Sequence, residues 1–364
     1  MTSGERIAVL GTGLIGTSIA MAAAATGSEV RGFDLDDGTL DRAAERSGLV
    51  SAPSLEVAVE GASLVFVCTP VPSVGRVAIE ALHVAPDAVV TDVASVKSHV
   101  LVEVEAAADP AAVRRFVGGH PMGGSERSGP QFASGSVLDG IVWVVTPSPT
   151  TDETATACVE SFARAVGARP VRIEPARHDR LVAIVSHLPQ VASTALMGLA
   201  ATEEAGEPEI LLLAAGGFRD LTRLAASSPH LWSDILLANR AQVAAAIDLY
   251  VARLLELRDL VGSERRADVE SAFALAKEAR LSLGAKPQVR AGVAVLQVPI
   301  PDRPGSLADL TLALSEAGVN IEDIQIVHSP EGGGGTVHLT VAVEAAGPAE
   351  TALAERAFQT LRLA

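Results

Sequence analysis

Cysteine is nearly missing from this chain. The two present, Cys68 and Cys158, stand in unlike settings and lack metal-ligand spacing, and no ligand cluster for a metal is visible elsewhere. Two such residues give no disulfide framework and fit a reducing compartment. Lysine is almost as scarce: Lys97, Lys277 and Lys286 are the only three among 28 basic side chains. Genomic base composition accounts for that, and no function follows from it. Positive charge is outweighed, with 44 acidic residues and a formal net charge of −16. This balance argues against nucleic acid or an anionic membrane as a partner, so a cationic site for an acidic metabolite has to be built locally. No unbroken run of 18 or more apolar residues occurs, so no membrane span is expected. The apolar stretch after Arg6 has the outline of a signal peptide, but Gly11, Gly13 and Gly16 interrupt it and no small-residue cleavage site follows. The expectation is a soluble, cytoplasmic protein.

What is present is core material. Apolar residues make up 48% of 364, enough for two or three domains of about 100–200 residues each. The chain is organised around Arg6 to Asp34. An apolar run, Ile7 to Leu10, has the length of a buried strand and breaks into Gly11-Thr12-Gly13-Leu14-Ile15-Gly16. An alanine-rich helical run stops at Gly27, and a second short strand, Glu29 to Phe33, ends at Asp34. Strand, glycine turn, helix, strand and terminal acid make up a dinucleotide-binding fingerprint. Gly11 serves the tight turn, Gly13 the approach of a pyrophosphate, and Gly16 the packing of helix on strand. The N–H groups of Leu14 and Ile15, at the helix start, face the phosphates. Asp34 is placed to accept hydrogen bonds from the adenosine ribose and to repel a 2′-phosphate, which favours NAD over NADP.

The pattern then alternates. Leu64 to Cys68 reads as a strand ending in Thr69-Pro70, beside the cofactor if the sheet is doubly wound. Ala88 to Thr91 is another strand, leading into Asp92-Val93-Ala94-Ser95-Val96-Lys97. Phe116-Val117-Gly118-Gly119 runs into His120-Pro121-Met122, and strands at Ile141 to Val145 and Pro170 to Ile173 flank a helix. Beyond Pro175 the period becomes helical as far as about Ala279, with Ile210 to Ala215 apolar enough to be buried on all sides. Residues 282–292 look like a linker. The last segment reads β-α-β-β-α with a short final strand in Leu361-Arg362-Leu363, which is ferredoxin-like order. The fold class expected is α/β, in three parts. These are a Rossmann-type domain at 1–174, an all-helical substrate and dimerisation domain at 175–284, and a ferredoxin-like domain at 290–364.

His120 closes a strand near where a nicotinamide would lie, and histidine is the side chain best suited to act as a base at neutral pH. Ser95 could share the substrate hydroxyl or orient the imidazole. Glu126 and the helical His187 add titratable groups. Arg219 and Arg223, four apart, share a helix face that suits a substrate with more than one carboxylate. Asp179 reads as a helix-start residue, and Lys97 as holding the turn after Ser95. Trp232 reads equally as core or ligand contact.

GTGLIG, DVASVK, GGHPMGGSERSG, VSHLP and GGFRDLTR, in that order over roughly residues 5–280, resemble the prephenate dehydrogenase family, in which arogenate dehydrogenase is the sister activity. DRPGSLADL and GVNIEDIQI resemble an ACT domain, an amino-acid-sensing module. The resemblance implies oxidative decarboxylation of prephenate with NAD. His120 and Ser95 match the residues on the ring hydroxyl, and Arg223 matches the residue gripping a carboxylate. Glu126, His187, Arg219 and Trp232 match pocket positions. It also implies a homodimer and a tyrosine effector bound near Asp302, Gly305 and Asn320. Two other readings stand beside it. One is a non-catalytic NAD-binding sensor. The other is a β-hydroxyacid dehydrogenase, which would use a helical lysine that none of the three lysines supplies.

Overall fold

The structure is a computed structural model that describes residues 5–123, 129–282, 292–301, 303–328 and 334–363. The chain divides into two compact units, Met1–Ala195 with Leu224–Tyr250, and Leu196–Arg223 with Val251–Ala364.

The first unit is built on an eight-stranded sheet. Its strands are β1 (Arg6–Leu10), β2 (Glu29–Phe33), β3 (Val50–Ser51), β4 (Leu64–Val67), β5 (Val89–Asp92), β6 (Phe116–Pro121), β7 (Val142–Thr146) and β8 (Arg169–Arg172), in the order 3-2-1-4-5-6-7-8. From β3 to β6 every pairing is parallel; β7 is antiparallel to β6, and β8 parallel to β7. Strands covered on both faces read as unbroken apolar runs, and all four residues of β4 are buried. Alternate residues feed two separate cores. Ala8, Leu10, Val65 and Val67 join the one under the helices Val71–Val84 and Ser98–Ala107. Ile7, Val9, Leu64 and Phe66 join the other, under Leu14–Ala25 and Glu153–Ala165. There Phe66 and Phe162 pack tilted with ring centroids 4.6 Å apart, and Trp143 packs edge-on at 5.9 Å from Phe162.

Because β1, β4, β5 and β6 run in one direction, their carboxyl ends open on one edge of the sheet. Gly11, Thr69, Ser95 and His120 lie at those four ends.

Helix Pro175–Val182 continues through a π-helical turn, Ala183–His187, into Leu188–Glu203. Among the described residues this run is the one single helix whose length and composition could cross a membrane. It buries His178, Asp179 and His187, each bonded to other parts of the protein.

The second unit holds a four-stranded antiparallel sheet, β9 (Val293–Pro301), β10 (Asp323–His328), β11 (Gly334–Ala342) and β12 (Leu361–Leu363), in the order 10-11-9-12. Helices Ser306–Glu316 and Ala346–Glu355 cover it, burying Leu296, Val298, Leu310, Leu314, Val337, Leu339 and Leu353. Short as it is, β12 pairs with β9 at Leu361–Gln297 to Leu363–Val295, which completes the ferredoxin-like order. One expectation fails in this unit. Ile210 to Ala215 is not enclosed: the helix is only Glu209–Leu212, and Leu212 and Leu213 are 81% and 77% exposed. A single turn bounded by Pro208 and Gly216 has too little length to be wrapped by its own chain.

Candidate active site

The glycine loop after β1 is demanded partly by the fold and partly by something outside it. Gly11 has φ +93°, and a Cβ there would fall 2.8 Å from the Cys68 carbonyl carbon. A Cβ on Gly16 would meet Gly11 O at 2.0 Å. Among the described residues a Cβ at Gly13 would meet nothing within 4 Å, and no side chain caps the helix Leu14–Ala25 that begins there. Among the described residues nothing therefore asks for glycine at 13. A phosphate group approaching the unpaired N–H groups of that helix start does. Asp34 is locked beside the loop: Oδ2 accepts from Thr12 N at 2.7 Å and from the Thr12 hydroxyl at 3.2 Å, and Oδ1 from Asp36 N at 3.1 Å. At the end of β4, Thr69 N lies 2.9 Å from the Cβ position of Gly11, and the buried Thr69 hydroxyl has no hydrogen-bond partner among the described residues. Pro70 next to it starts helix Val71–Val84. A bare helix start, a fixed ribose-binding acid and an orphaned hydroxyl fit a dinucleotide.

His120 stands on β6 between β5 and β7. The backbone must come close here, since a Cβ on Gly119 would sit 2.6 Å from Asp92 O. Asp92, at the end of β5, receives Gly119 N at 3.2 Å and Ala94 N at 3.0 Å and forms a buried ion pair with Lys97. Lys97 Nζ also donates to Gly119 O at 2.6 Å. The turn carrying Ser95 and the strand end carrying His120 are thus clamped together, and Lys97 holds the turn as the sequence suggests. Burial lowers the Lys97 pKa, while Asp92 pulls it back up.

The partner of the His120 ring is one the sequence reading misses. His120 Nδ1 lies 2.9 Å from His178 Nε2, and His178 Nδ1 lies 2.8 Å from Asp179 Oδ1. Asp179 in turn accepts Lys97 N at 2.9 Å and Ser98 N at 2.8 Å. It is not a helix-start residue. Glu174 does that work for Pro175–Val182, accepting Ala176 N and Arg177 N, while Asp179 caps the distant helix Ser98–Ala107. Ser95 is half-buried in the turn after β5 and makes no bond to His120, so orienting the imidazole falls to His178. The available signal for this pair is the adjacent His178-Asp179 at the start of the helical region. Burial, then repulsion from a positive charge on His178, Lys97 or His187, holds the His120 pKa well below 6.5, against the pull of Asp179. The ring is a neutral base at pH 7.

His187 ends the π-helical turn, a distortion common at functional positions. Asn239 Nδ2 donates to Asp179 O at 2.9 Å, so the same amide nitrogen must donate to His187 Nδ1, 3.2 Å away. His187 Nε2 therefore carries the hydrogen, and it is buried without a partner among the described residues. Burial pushes the pKa of this ring down to about 4, with Asp179 opposing. Trp232 packs edge-on to it at 6.1 Å and also lies against the core beneath helix Val71–Val84. Gln190 Nε2 and Ser193 Oγ hold the backbone of Leu224 and Ala225.

His120, Ser95, His187 and Trp232 thus fall in the first unit with the dinucleotide loop. Arg219 and Arg223 belong to the second, Arg219 within helix Gly216–Thr222 and Arg223 closing it. Both are exposed, and among the described residues neither pairs with a carboxylate; Arg219 Nε donates to Ala214 O at 3.2 Å. Glu126 and Asp302 lie outside the described residues. Gly305, with φ +94°, precedes helix Ser306–Glu316, and Asn320 donates to Glu322 at 2.7 Å.

Known proteins match this arrangement along most of the chain. Residues 19–172 match the prephenate dehydrogenase nucleotide-binding domain, 174–275 the prephenate dehydrogenase dimerization domain, and 294–357 the ACT domain. The prephenate dehydrogenase of Bacillus subtilis is 32% identical over 336 residues, covering 90% of this chain and 89% of the relative. A crystal structure of prephenate dehydrogenase from A. aeolicus, in complex with hydroxyphenyl propionate and NAD+, superposes with a TM-score of 0.73 at 27% identity, over 78% of this chain and 99% of that one. Synechocystis arogenate dehydrogenase gives 0.66 at 29% identity, over 77% and 100%. With the glycine loop, Asp34 and the half-buried, neutral His120 in place, the chain belongs to the prephenate dehydrogenase family and is an NAD-dependent dehydrogenase.

Proposed function

We propose that the protein oxidises and decarboxylates prephenate to 4-hydroxyphenylpyruvate, the tyrosine-forming reaction. The observation that carries this reading is His120: a neutral imidazole at the carboxyl edge of the sheet, beside the dinucleotide loop, with Nδ1 already committed to His178. Bound NAD supplies the hydride acceptor, held by Gly11, Gly13, Leu14, Ile15, Gly16, Asp34, Thr69 and Pro70. His120 Nε2 takes the proton of the ring C4 hydroxyl, and Ser95 shares that hydroxyl. As the ring becomes aromatic the C1 carboxylate leaves as CO2. Aromatisation supplies the driving force, so the side chains have only to position the substrate, deprotonate it and exclude water. His187 offers its orphaned Nε2–H to a substrate oxygen. Arg223 and Arg219, free of acidic partners among the described residues, are the side chains proposed to take substrate carboxylates, and Glu126 and Trp232 are proposed as further substrate-binding residues.

Arogenate is the second reading, favoured by the likeness to the Synechocystis enzyme. It replaces the side-chain keto group with an amine and leaves the ring chemistry unchanged. Turnover measured on the two substrates in parallel, following NADH, separates the readings.

The same proposal divides the chain into modules at 1–174, 175–284 and 290–364. It includes a homodimer, supported by the match to a dimerization domain and by exposed Leu212, Leu213, Leu254, Phe273 and Leu275. It includes tyrosine as an effector near Asp302, Gly305 and Asn320, supported by the ACT match. Cytoplasmic residence belongs to it as well, since Cys68 and Cys158 are both free thiols.

A further inference from the structure

We propose that His178 and Asp179 are positioning residues that fix the tautomer of His120, so that its Nε2 is the nitrogen left to accept the substrate proton. The inference rests on the reading of His120 as the base and adds how that base is kept in register.

The direction of every bond follows from one end. Asp179 already accepts two backbone N–H groups, from Lys97 and Ser98, as an ionised carboxylate does. Its Oδ1 can only accept, so His178 Nδ1 must be the donor in their 2.8 Å contact. With the ring proton of His178 on Nδ1, its lone pair lies on Nε2, and the 2.9 Å contact with His120 makes His120 Nδ1 the donor. The remaining ring nitrogen of His120, Nε2, is the unprotonated one. Among the described residues no other side chain bonds the His120 ring, so removing His178 leaves the tautomer unset.

The anchor is rigid as well as polar. His178 and Asp179 are 1% and 3% exposed, and the helix they sit on is tied to the base of the site by Asn239, whose amide donates to Asp179 O. When His120 takes a proton from a substrate hydroxyl, its Nδ1–H stays bonded to His178. The new positive charge lies one ring away from the Asp179 carboxylate. Lys97 and His187, the other charged or titratable groups facing His120, oppose that charge, which leaves Asp179 as the group that favours it.

The test uses two substitutions at one position. His178→Leu removes the acceptor for His120 Nδ1–H. His178→Gln puts a carbonyl oxygen and an NH2 group in place of the two ring nitrogens, so both bonds keep their direction without a titratable ring. With NAD saturating and prephenate as substrate, His178→Leu should lower kcat about a hundredfold or more, the scale of a misdirected base. KM should change by less than about threefold, since no substrate contact is lost. His178→Gln should recover kcat to within about tenfold of the parent. In histidine-labelled full-length protein, 15N NMR should show His120 as the Nδ1–H tautomer in the parent and in the Gln variant, and as a mixture in the Leu variant. The idea is overturned by an Nε2–H tautomer at His120 in the parent, by Gln as impaired as Leu, or by Leu retaining more than half the parent kcat. The NMR measurement needs no substrate. A parent protein that turns over nothing would therefore sink the proposed reaction while the spectrum still decides the tautomer.

Discussion

The Asp179 carboxylate meets the Ser98 backbone N–H at 2.8 Å, although the two residues are 81 positions apart in sequence. Helix Ser98–Ala107 has no side-chain cap of its own, and this distant acid supplies one. The same carboxylate holds His178, so one residue ties a helix start, a strand-end turn and the base of the site together. Burial would raise the Asp179 pKa, but hydrogen bonds from His178, Ser98 and Lys97 outweigh it and hold the acid below its usual value. It is ionised at neutral pH.

His120→Asn should leave NAD affinity nearly unchanged and lower kcat by about 10²–10⁴, the usual worth of a general base. Cofactor titration and steady-state kinetics check the two halves separately. A variant keeping more than half the parent kcat would remove His120 from the chemistry.

Arg223→Ala should raise KM, because losing a charge-assisted hydrogen bond to a substrate carboxylate costs about 1.5–3 kcal/mol. The measurement is KM for substrate at saturating NAD. No change would put Arg223 outside the substrate site.

Asp34 should set cofactor choice. Its carboxylate is pinned by Thr12, and Leu35 beside it is 87% exposed, so Asp34→Ser with Leu35→Arg should shift preference from NAD towards NADP. The ratio of kcat/KM for the two cofactors reads the shift. A parent protein already better with NADP would contradict the assignment.

Much of this site is legible in the sequence because it sits at strand ends. The loop Gly11 to Gly16 and Thr69 follow apolar runs whose length marks a buried strand, Asp34 and His120 close shorter strand stretches, and a doubly wound sheet brings such ends to one edge. His178 and Asp179 are not legible in that way. Their partners lie 58 and 81 residues away, and only the packing of a helix against the sheet edge joins them. The reversal of β7 is equally silent, since an apolar strand looks the same in either direction. Leu212 and Leu213 show the opposite failure: apolar sequence says that a surface wants cover, not whether its own chain provides it.

Stability should fall in mild acid because of His187. The unfolded ring takes a proton below about pH 6.5, while the folded ring resists until about pH 4. In that window the unfolded state binds more protons, so stability drops as pH falls, by about 3 kcal/mol across the window for this group. Urea unfolding at pH 7, 6 and 5 measures the slope, and His187→Gln should flatten it. An equal slope in both proteins would assign the acid sensitivity elsewhere.

Tyrosine should inhibit the full-length enzyme through the ACT domain. Allosteric coupling is typically about 1–3 kcal/mol. Removing the chain after Lys286, or changing Asn320→Ala, should abolish or weaken that sensitivity while catalysis persists. Tyrosine can also compete at the active site, so inhibition is compared at several substrate concentrations. The same pattern with and without the domain would end the regulatory assignment.

The most direct measurement is NADH formation by the purified full-length protein given NAD and prephenate, with arogenate in a parallel reaction. Saturable NADH production with prephenate, lost in His120→Asn, is the predicted result. No NADH from either substrate, from a protein that still binds NAD, would contradict it.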